Sequence, residues 1–190
     1  MWKSFKVGIL RMLREDLYRA YSYTTGGKFN RVIECLRTPG VHAIVVYRFG
    51  RWLLNKSLWV RALLTPLYMF FSYRTKTKWG IEIPRHTQIG AGFYIGHFGG
   101  ITISSAAKLG QNINISQGVT IGVSGQGEKF GAPMIGDNVY IAPGAKIFGK
   151  IAIGDNVKIG ANAIIYKDIP ENAIVVLDPG YKIISYKGNF

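Results

Sequence analysis

Cysteine, acidic residues and long apolar runs are all scarce in this sequence of 190 residues. Its one cysteine, Cys35, excludes an intramolecular disulfide or a multi-cysteine zinc site, and this favours a reducing compartment. The longest apolar stretch, residues 62–73, is far shorter than the roughly 20 residues that a membrane-spanning helix needs. The N-terminus lacks the apolar core and cleavage site of a secretory signal. We therefore expect a cytoplasmic protein without a transmembrane helix.

The shortage of acidic residues leaves a positive charge that is concentrated in the first part of the chain. Residues 1–80 carry 15 Lys+Arg and 3 Asp+Glu, whereas residues 81–190 carry 9 and 7. Glycine follows the opposite trend, with 6 in the first part and 18 in the second. These two compositions predict a basic α-helical region at 1–78 and a second domain at 79–178, followed by a C-terminal tail at 179–190.

Apolar residues of the first part recur at helical spacing, with breaks at 24–27 and at Pro39. A later helical segment contains Pro66, which either kinks the helix or begins a new one. Two compatible interpretations stay open: the helices pack on the rest of the protein, or they contact an anionic membrane surface. Nucleic acid is not an expected partner, because no helix-turn-helix, zinc-finger or RNP pattern accompanies the charge. The membrane interpretation depends on aromatic residues among the cations: Trp2, Phe5, Trp52, Trp59, Phe70 and Phe71.

An aliphatic residue recurs every six residues in the second part, often followed by glycine. Each six-residue unit supplies a short strand and a corner, and three units close one triangular coil. This period predicts a mainly β fold, a left-handed parallel β-helix with an N-terminal α-helical region; such repeats are an exception to right-handed crossovers. The series is Ile89, Ile95, Ile101, Leu109, Ile115, Ile121, Ile135, Ile141, Ile147, Ile153, Ile159 and Ile165.

Two irregularities interrupt the period. A slip of two residues separates Ile101 from Leu109, and residues 123–134 break the pattern with a polar, glycine-rich segment. An insertion between coils must extrude as a loop, and such loops often carry function. Its glycines do not form a nucleotide-binding G-x-G-x-x-G pattern.

Helices followed by hexapeptide coils and one extruded loop resemble the serine O-acetyltransferase family. The resemblance covers residues 39–178 and is closest to the colanic-acid-type branch of exopolysaccharide biosynthesis. Five segments carry it: G-I-E-I at 80–83, G-H-F-G-G-I-T-I at 96–103, Q-G-V-T-I-G at 117–122, A-P-M-I-G at 132–136 and I-A-P-G-A-K-I-F-G at 141–149.

The resemblance implies acetyl transfer from acetyl-CoA to a hydroxyl, with His97 as the catalytic base and Glu82 as the acidic residue that orients it. Chemistry agrees with these roles, because a hydroxyl attacks a thioester only when a base removes its proton. A carboxylate on the other ring nitrogen would stabilise the imidazolium that forms. His42 and His86 match no catalytic position, and we expect them to be structural. No metal is expected, because the three histidines lack the spacing of a zinc site.

The family places acetyl-CoA along the edge of the β-helix, with its pantetheine arm on backbone amides. Every glycine at such a position has an equally good structural explanation, because the tight corners of the repeat require small residues. Two lysines, Lys158 and Lys167, could meet the CoA phosphates. The predicted backbone contacts are Gly122, Val123, Pro143, Gly144, Gly160 and Ala161.

Three predicted substrate-binding positions depart from the serine enzymes. Gly96 replaces an aspartate before the catalytic histidine, and Gly131 and Ala132 replace an Arg-His pair in the extruded loop. Because these groups hold the charges of the amino acid, their absence favours a neutral acceptor. We therefore expect acetylation of a sugar hydroxyl in exopolysaccharide or capsule biosynthesis; the alternative is a serine O-acetyltransferase that makes O-acetyl-L-serine for cysteine synthesis.

The resemblance also implies partners. It predicts a homotrimer and a glycan or lipid-linked oligosaccharide acceptor, and residues 1–78 could hold the enzyme at the inner face of the cell membrane. The paired His97 and Glu82 argue against a non-catalytic scaffold subunit, which is the alternative outside the enzymes.

Overall fold

Helices account for the first half of the structure. The computed structural model describes residues 8–177, so Trp2, Phe5 and the predicted tail at 179–190 lie outside the described residues. The break at 24–27 separates the first two helices, and Pro39 begins the third, where its missing N–H costs no hydrogen bond. The fourth helix continues through Pro66. The helices are α1 (Ile9–Ser22), α2 (Lys28–Arg37), α3 (Pro39–Leu54) and α4 (Leu58–Trp79).

No helix within residues 8–177 combines the length and the apolarity that crossing a membrane requires.

Short parallel strands form the second half, in three sheets that wind as the predicted left-handed parallel β-helix. Sheet 1 contains β1 (Ile81–Glu82), β4 (Ile101–Ile103), β7 (Thr120–Gly122), β10 (Lys146–Phe148) and β13 (Ile164–Ile165). Sheet 2 contains β2 (Gln88–Ile89), β5 (Lys108–Leu109), β8 (Met134–Ile135) and β11 (Ala152–Ile153). Sheet 3 contains β3 (Tyr94–Ile95), β6 (Asn114–Ile115), β9 (Tyr140–Ile141), β12 (Lys158–Ile159) and β14 (Ile174–Val175).

The six-residue series forms the core of this β-helix, and each of its members is buried. The two-residue slip is absorbed inside β4. Ile101 pairs with Ile81 of the coil before, whereas Ile103 pairs with Ile121 of the coil after. Because side chains alternate along a strand, Ile101 and Ile103 both point inward and Thr102 points outward.

The corner between sheets 2 and 3, called corner 2/3, is built from a column of asparagines. Asn112, Asn138, Asn156 and Asn172 all have φ near +60°, a conformation that asparagine tolerates better than most residues. Their side-chain amides bond from coil to coil at 3.0–3.1 Å. The coils from Asn112 to Asn172 therefore repeat the same side-chain bonds at this corner, whereas the first coil has Gly92 there.

The helices cover the edge of the first coil through a buried ion pair. Arg48 of α3 binds Asp16 of α1 (Nε–Oδ2 2.7 Å) and also donates to the carbonyls of Ile89 and Gly90. The Asp16 carboxylate accepts from the backbone N–H of Phe93 at 2.8 Å. Burial raises the pKa of the Asp16 carboxyl, and the bonds from Arg48 and from the backbone oppose that shift. Polar groups of an otherwise open edge are thereby satisfied.

Candidate functional site

His97 lies at the corner that joins sheet 3 to sheet 1, called corner 3/1. The backbone enters this corner through Gly96, whose N–H donates to the carbonyl of Ile115 at 2.9 Å. The His97 side chain is exposed, and within residues 8–177 it forms no hydrogen bond or ion pair. An imidazole in this position is accessible to substrates.

Glu82 lies on the outward face of sheet 1, close to the same corner. It is aligned with Thr102 of the next coil, and two residues earlier the carbonyl of Gly80 accepts from the N–H of Ile101 at 2.8 Å. The Glu82 carboxylate is bound to Lys76 of α4, with Nζ–Oε1 at 2.8 Å. The structure therefore places Glu82 on the same side of the coil as His97, but the carboxylate pairs with Lys76 and not with the imidazole.

Four of the predicted acetyl-CoA residues share corner 3/1 with His97. Backbone bonds connect the successive coils there: the N–H of Gly144 donates to Gln117, and the N–H of Asn162 donates to Pro143, both at 2.9 Å. Coils stack at about 4.8 Å, so roughly 14 Å separates the level of His97 from that of Ala161, three coils later. The four residues are Pro143, Gly144, Gly160 and Ala161.

Backbone lines this corner. Gly118 and Gly144 have φ of +73° and +77°, and they stack so closely that a Cβ on Gly118 would lie 3.3 Å from the Cα of Gly144. A Cβ on Gly144 would overlap the side chain of Asn162. A corner that is lined by backbone and not by bulky side chains suits a slender chain that carries amides, which is the chemistry of a pantetheine arm.

The other predicted cofactor residues lie elsewhere in the chain. Gly122 ends β7 and Val123 follows it at the corner between sheets 1 and 2, and Lys167 follows β13. Lys158 is on the outward face of sheet 3, aligned with Tyr140 and Ile174. One chain therefore brings only part of the predicted cofactor set to His97, and these assignments stay predictions.

The extruded loop leaves the β-helix after β7 and returns at β8. Ser124 and Gly131 close its base through two backbone bonds of 3.0 and 3.1 Å. Lys150 of the next coil packs beneath it, and its Nζ donates to the carbonyl of Glu128 at 3.0 Å. A Cβ on Gly131 would lie 2.8 Å from the Cβ of Lys150. Larger side chains at this position, which precedes Ala132, would require the loop to move.

A cleft of about 320 Å³ beside Glu82 contains residues that sequence analysis missed. It lies between α4 and the first coil, and Lys76 and Arg85 line it. The guanidinium Nη1 of Arg85 is buried without a hydrogen-bond partner in the described part of the chain. An ion pair of Lys76 with Glu82 could have been predicted, because only the end of α4 at Gly80 lies between them in the sequence.

The remaining histidines stay apart from His97. His42 packs its ring against Trp79, with ring centroids 5.1 Å apart, and His86 lies at the cleft beside α4. Among residues 8–177, no group of three or more His, Cys, Asp and Glu side chains could hold a metal ion.

Comparison with known sequences identifies relatives over most of the chain. A family model described as bacterial transferase hexapeptide (six repeats) matches residues 132–167. The serine acetyltransferase of Mycobacterium tuberculosis is 38% identical over 145 residues, which cover 76% of this chain and 61% of that protein. The serine acetyltransferase of Staphylococcus aureus is 33% identical over 175 residues, which cover 91% of this chain and 77% of that protein. The chain thus spans less than two thirds of the first relative.

Solved structures extend this similarity to the fold. The serine acetyltransferase of Neisseria gonorrhoeae in complex with serine has a TM-score of 0.71 at 30% identity, covering 92% of this chain and 68% of that one. A serine acetyltransferase in complex with CoA has a TM-score of 0.70 at 26% identity, covering 90% and 68%. These comparisons confirm the predicted fold and the predicted resemblance to the serine acetyltransferases. They give no support to the exopolysaccharide branch or to a membrane partner.

Proposed function

The chain belongs to the hexapeptide-repeat acyltransferase family of the serine acetyltransferases, and from this premise we propose that it transfers the acetyl group of acetyl-CoA to a hydroxyl with His97 as general base. The observation that carries the proposal is the placement of an exposed His97 at corner 3/1, the same backbone-lined corner as Pro143, Gly144, Gly160 and Ala161. A pantetheine arm bound along this corner would bring its thioester towards His97.

His97 alone can move the one proton that acetyl transfer requires, from the acceptor hydroxyl to the sulfur of CoA. The acceptor oxygen forms a bond to the thioester carbonyl carbon while His97 takes the hydroxyl proton. The tetrahedral oxyanion needs hydrogen-bond donors, and backbone N–H groups of the corner are the nearest kind available. The C–S bond then breaks, and His97 returns the proton to the departing sulfur of CoA.

Glu82 is the proposed positioning residue for His97. Its carboxylate is bound to Lys76 at 2.8 Å, with about half of each side chain exposed, so this ion pair is weak and readily exchanged. Release of Lys76 would free the carboxylate to accept from the imidazole.

L-Serine is the acceptor that the relatives favour. The relatives and structures described above are all named serine acetyltransferases, and one of them is a complex with serine. Similarity to these proteins therefore supports formation of O-acetyl-L-serine better than acetylation of a sugar.

A sugar hydroxyl is the second candidate, and the site itself favours it. Gly96, Gly131 and Ala132 offer no charge to an amino acid, and Lys150 fills the space that a side chain at position 131 would need. At position 96 a Cβ would meet only ordinary contacts, 3.5 Å from the Tyr94 ring and 3.6 Å from Ser116. A neutral, bulkier acceptor such as a glycan or a lipid-linked oligosaccharide fits these positions.

Thiol release from acetyl-CoA tests the proposal, measured with L-serine, with sugars or oligosaccharides, and without acceptor. We expect His97→Ala to lower kcat about 10²- to 10⁴-fold with the productive acceptor, as removal of a general base does. The matched control is His42→Ala, which changes a histidine that packs on Trp79 and should retain activity. Undiminished turnover by a folded His97→Ala protein would refute the proposal.

The same assay decides the acceptor. Turnover of L-serine that depends on His97 supports the serine acetyltransferase activity. Turnover only with glycans supports the sugar candidate, and Gly96→Asp should then lower it, because the variant places a charged side chain where the neutral acceptor is proposed to bind.

A homotrimer is the proposed assembly. One chain brings only part of the predicted acetyl-CoA residues to His97. A neighbouring chain would supply the remaining contacts to acetyl-CoA. Light scattering of the purified protein should give three times the mass of the chain.

A further inference from the structure

Helix α4 carries a second apolar face that points away from the protein. Only Tyr68 and Thr75 of this helix are buried. On the opposite face, side chains spaced by four and three residues are exposed, among them Trp59 at 84% and Phe70 at 55%. The rise of 1.5 Å per residue makes this face about 21 Å long. We call it the α4 stripe, and it consists of Trp59, Leu63, Pro66, Phe70 and Tyr73.

The surroundings of the stripe carry charge of one sign. No aspartate or glutamate occurs between Glu34 and Glu82, a span that includes all of α3 and α4. A long surface with cations and no carboxylates has a positive potential that attracts anionic surfaces. Two of the eight cationic residues of the span are paired, Arg48 with Asp16 in the interior and Lys76 with Glu82. The other six are Arg37, Arg51, Lys56, Arg61, Arg74 and Lys78.

An open apolar groove of about 680 Å³ adjoins the stripe and enlarges the apolar surface. Leu67 and Phe71 of α4 form one wall, and Phe49 and Trp52 of α3 lie opposite. Exposed apolar area of this extent is a signature of an interaction site.

The charge distribution separates two possible occupants. In a contact between copies that brings α3 or α4 of a second copy against α4, the cations Arg61, Arg74, Lys76 and Lys78 would meet no carboxylate of that helix. An anionic lipid surface instead offers complementary charge and an apolar interior. Aromatic rings at both ends of the stripe, Trp59 and Tyr73, suit the boundary between headgroups and acyl chains.

We propose that the α4 stripe lies in the surface of an anionic lipid bilayer, with the cations of α4 on the headgroups. Helix α4 leads through Gly80 into β1, so bilayer contact places the first coil beside the lipid surface. The proposal does not depend on the identity of the acceptor or on catalysis.

Vesicle co-sedimentation of the full chain tests this surface. Vesicles of phosphatidylglycerol and phosphatidylethanolamine should bind the protein at low salt about tenfold more tightly than phosphatidylcholine vesicles, and added salt should weaken the binding. The double variant Trp59→Ser/Phe70→Ser should lose at least about tenfold in affinity for the vesicles, because it removes aromatic area that the bilayer would bury on binding. Both positions are exposed, so the fold should be retained, which circular dichroism checks.

The control is Tyr18→Ser/Phe29→Ser, which removes two aromatic side chains of the same region, 74% and 76% exposed, from α1 and α2. This variant should bind like the wild type. As a second measurement, brominated lipids should quench Trp fluorescence in the wild type more than in Trp59→Phe. Absence of binding to anionic vesicles, or equal binding by the stripe variant, would overturn the proposal. A smaller mass of the lipid-free stripe variant would instead identify a second copy as the occupant.

Discussion

The β-helix and helix α4 differ in where their apolar side chains lie. In the β-helix the aliphatic residues of the six-residue series all lie inside, and even the slip at β4 keeps Ile101 and Ile103 in the core. In α4 most apolar side chains lie outside, and only Tyr68 and Thr75 are buried. The apolar residues of the β-helix therefore stabilise its own core, whereas α4 leaves most of its apolar residues exposed, as the proposed contact with a bilayer requires.

The ion pair between α1 and α3, which also bonds to the backbone of the first coil, should have the largest effect on stability. We expect Arg48→Met to lower the free energy of unfolding by about 3–5 kcal/mol, because Asp16 would be left buried without its counterion. Urea unfolding followed by circular dichroism measures the change.

Arg48→Met/Asp16→Leu is the informative control for that variant. Replacing both partners by apolar residues removes the uncompensated charge and should recover much of the loss. Equal destabilisation by the single and the double variant would mean that the bonds to Ile89 and Gly90, and not the charge, hold the helices to the first coil.

Truncation of inward and outward side chains sharpens the contrast between the regions. Ile165→Ala should cost about 2–3 kcal/mol, because this inward-facing residue of β13 is only 4% exposed. Ile164→Ala and Leu63→Ala remove similar groups that are 56% and 77% exposed, and each should change stability by less than about 0.5 kcal/mol. A large loss from Leu63→Ala in the absence of lipid would show that α4 is already covered in solution.

The asparagine column predicts a smaller effect. Asn138→Ala places alanine at φ +58° and removes two amide bonds, which should cost about 1–2 kcal/mol. Asn138→Gly loses the same bonds without the backbone strain, and it should be about 1 kcal/mol more stable than the alanine variant. Thermal unfolding of both variants separates the two contributions.

The architecture could be predicted because its information is local. A six-residue period repeats the same requirement at Ile141, Ile147 and Ile153, so each residue supports the assignment of the others. The ion pair of Arg48 with Asp16 joins residues 32 positions apart on different helices, and no repeating pattern in the sequence predicts it. For α4 the sequence shows aromatic residues but little contrast between faces, so the exposed side could not be read from it.

The candidate site divides in the same way. His97 was predicted from the motif around it, and its exposed position agrees with that prediction. The partner of Glu82 was not predicted, because an ion pair with Lys76 depends on how α4 meets β1. The roles of both residues stay proposals.

The slip inside β4 has a consequence for how such a coil can change in length. Register partners in neighbouring coils lie 20, 18, 26 and 16 residues apart, as for Ile81 with Ile101, Ile103 with Ile121, Ile121 with Ile147 and Ile159 with Val175. All of these separations are even. Deletion of one residue within a strand turns the inward-facing side chains that follow in that strand towards solvent, whereas deletion of two residues preserves the alternation. We therefore expect β4 to tolerate insertion or deletion of two residues better than of one.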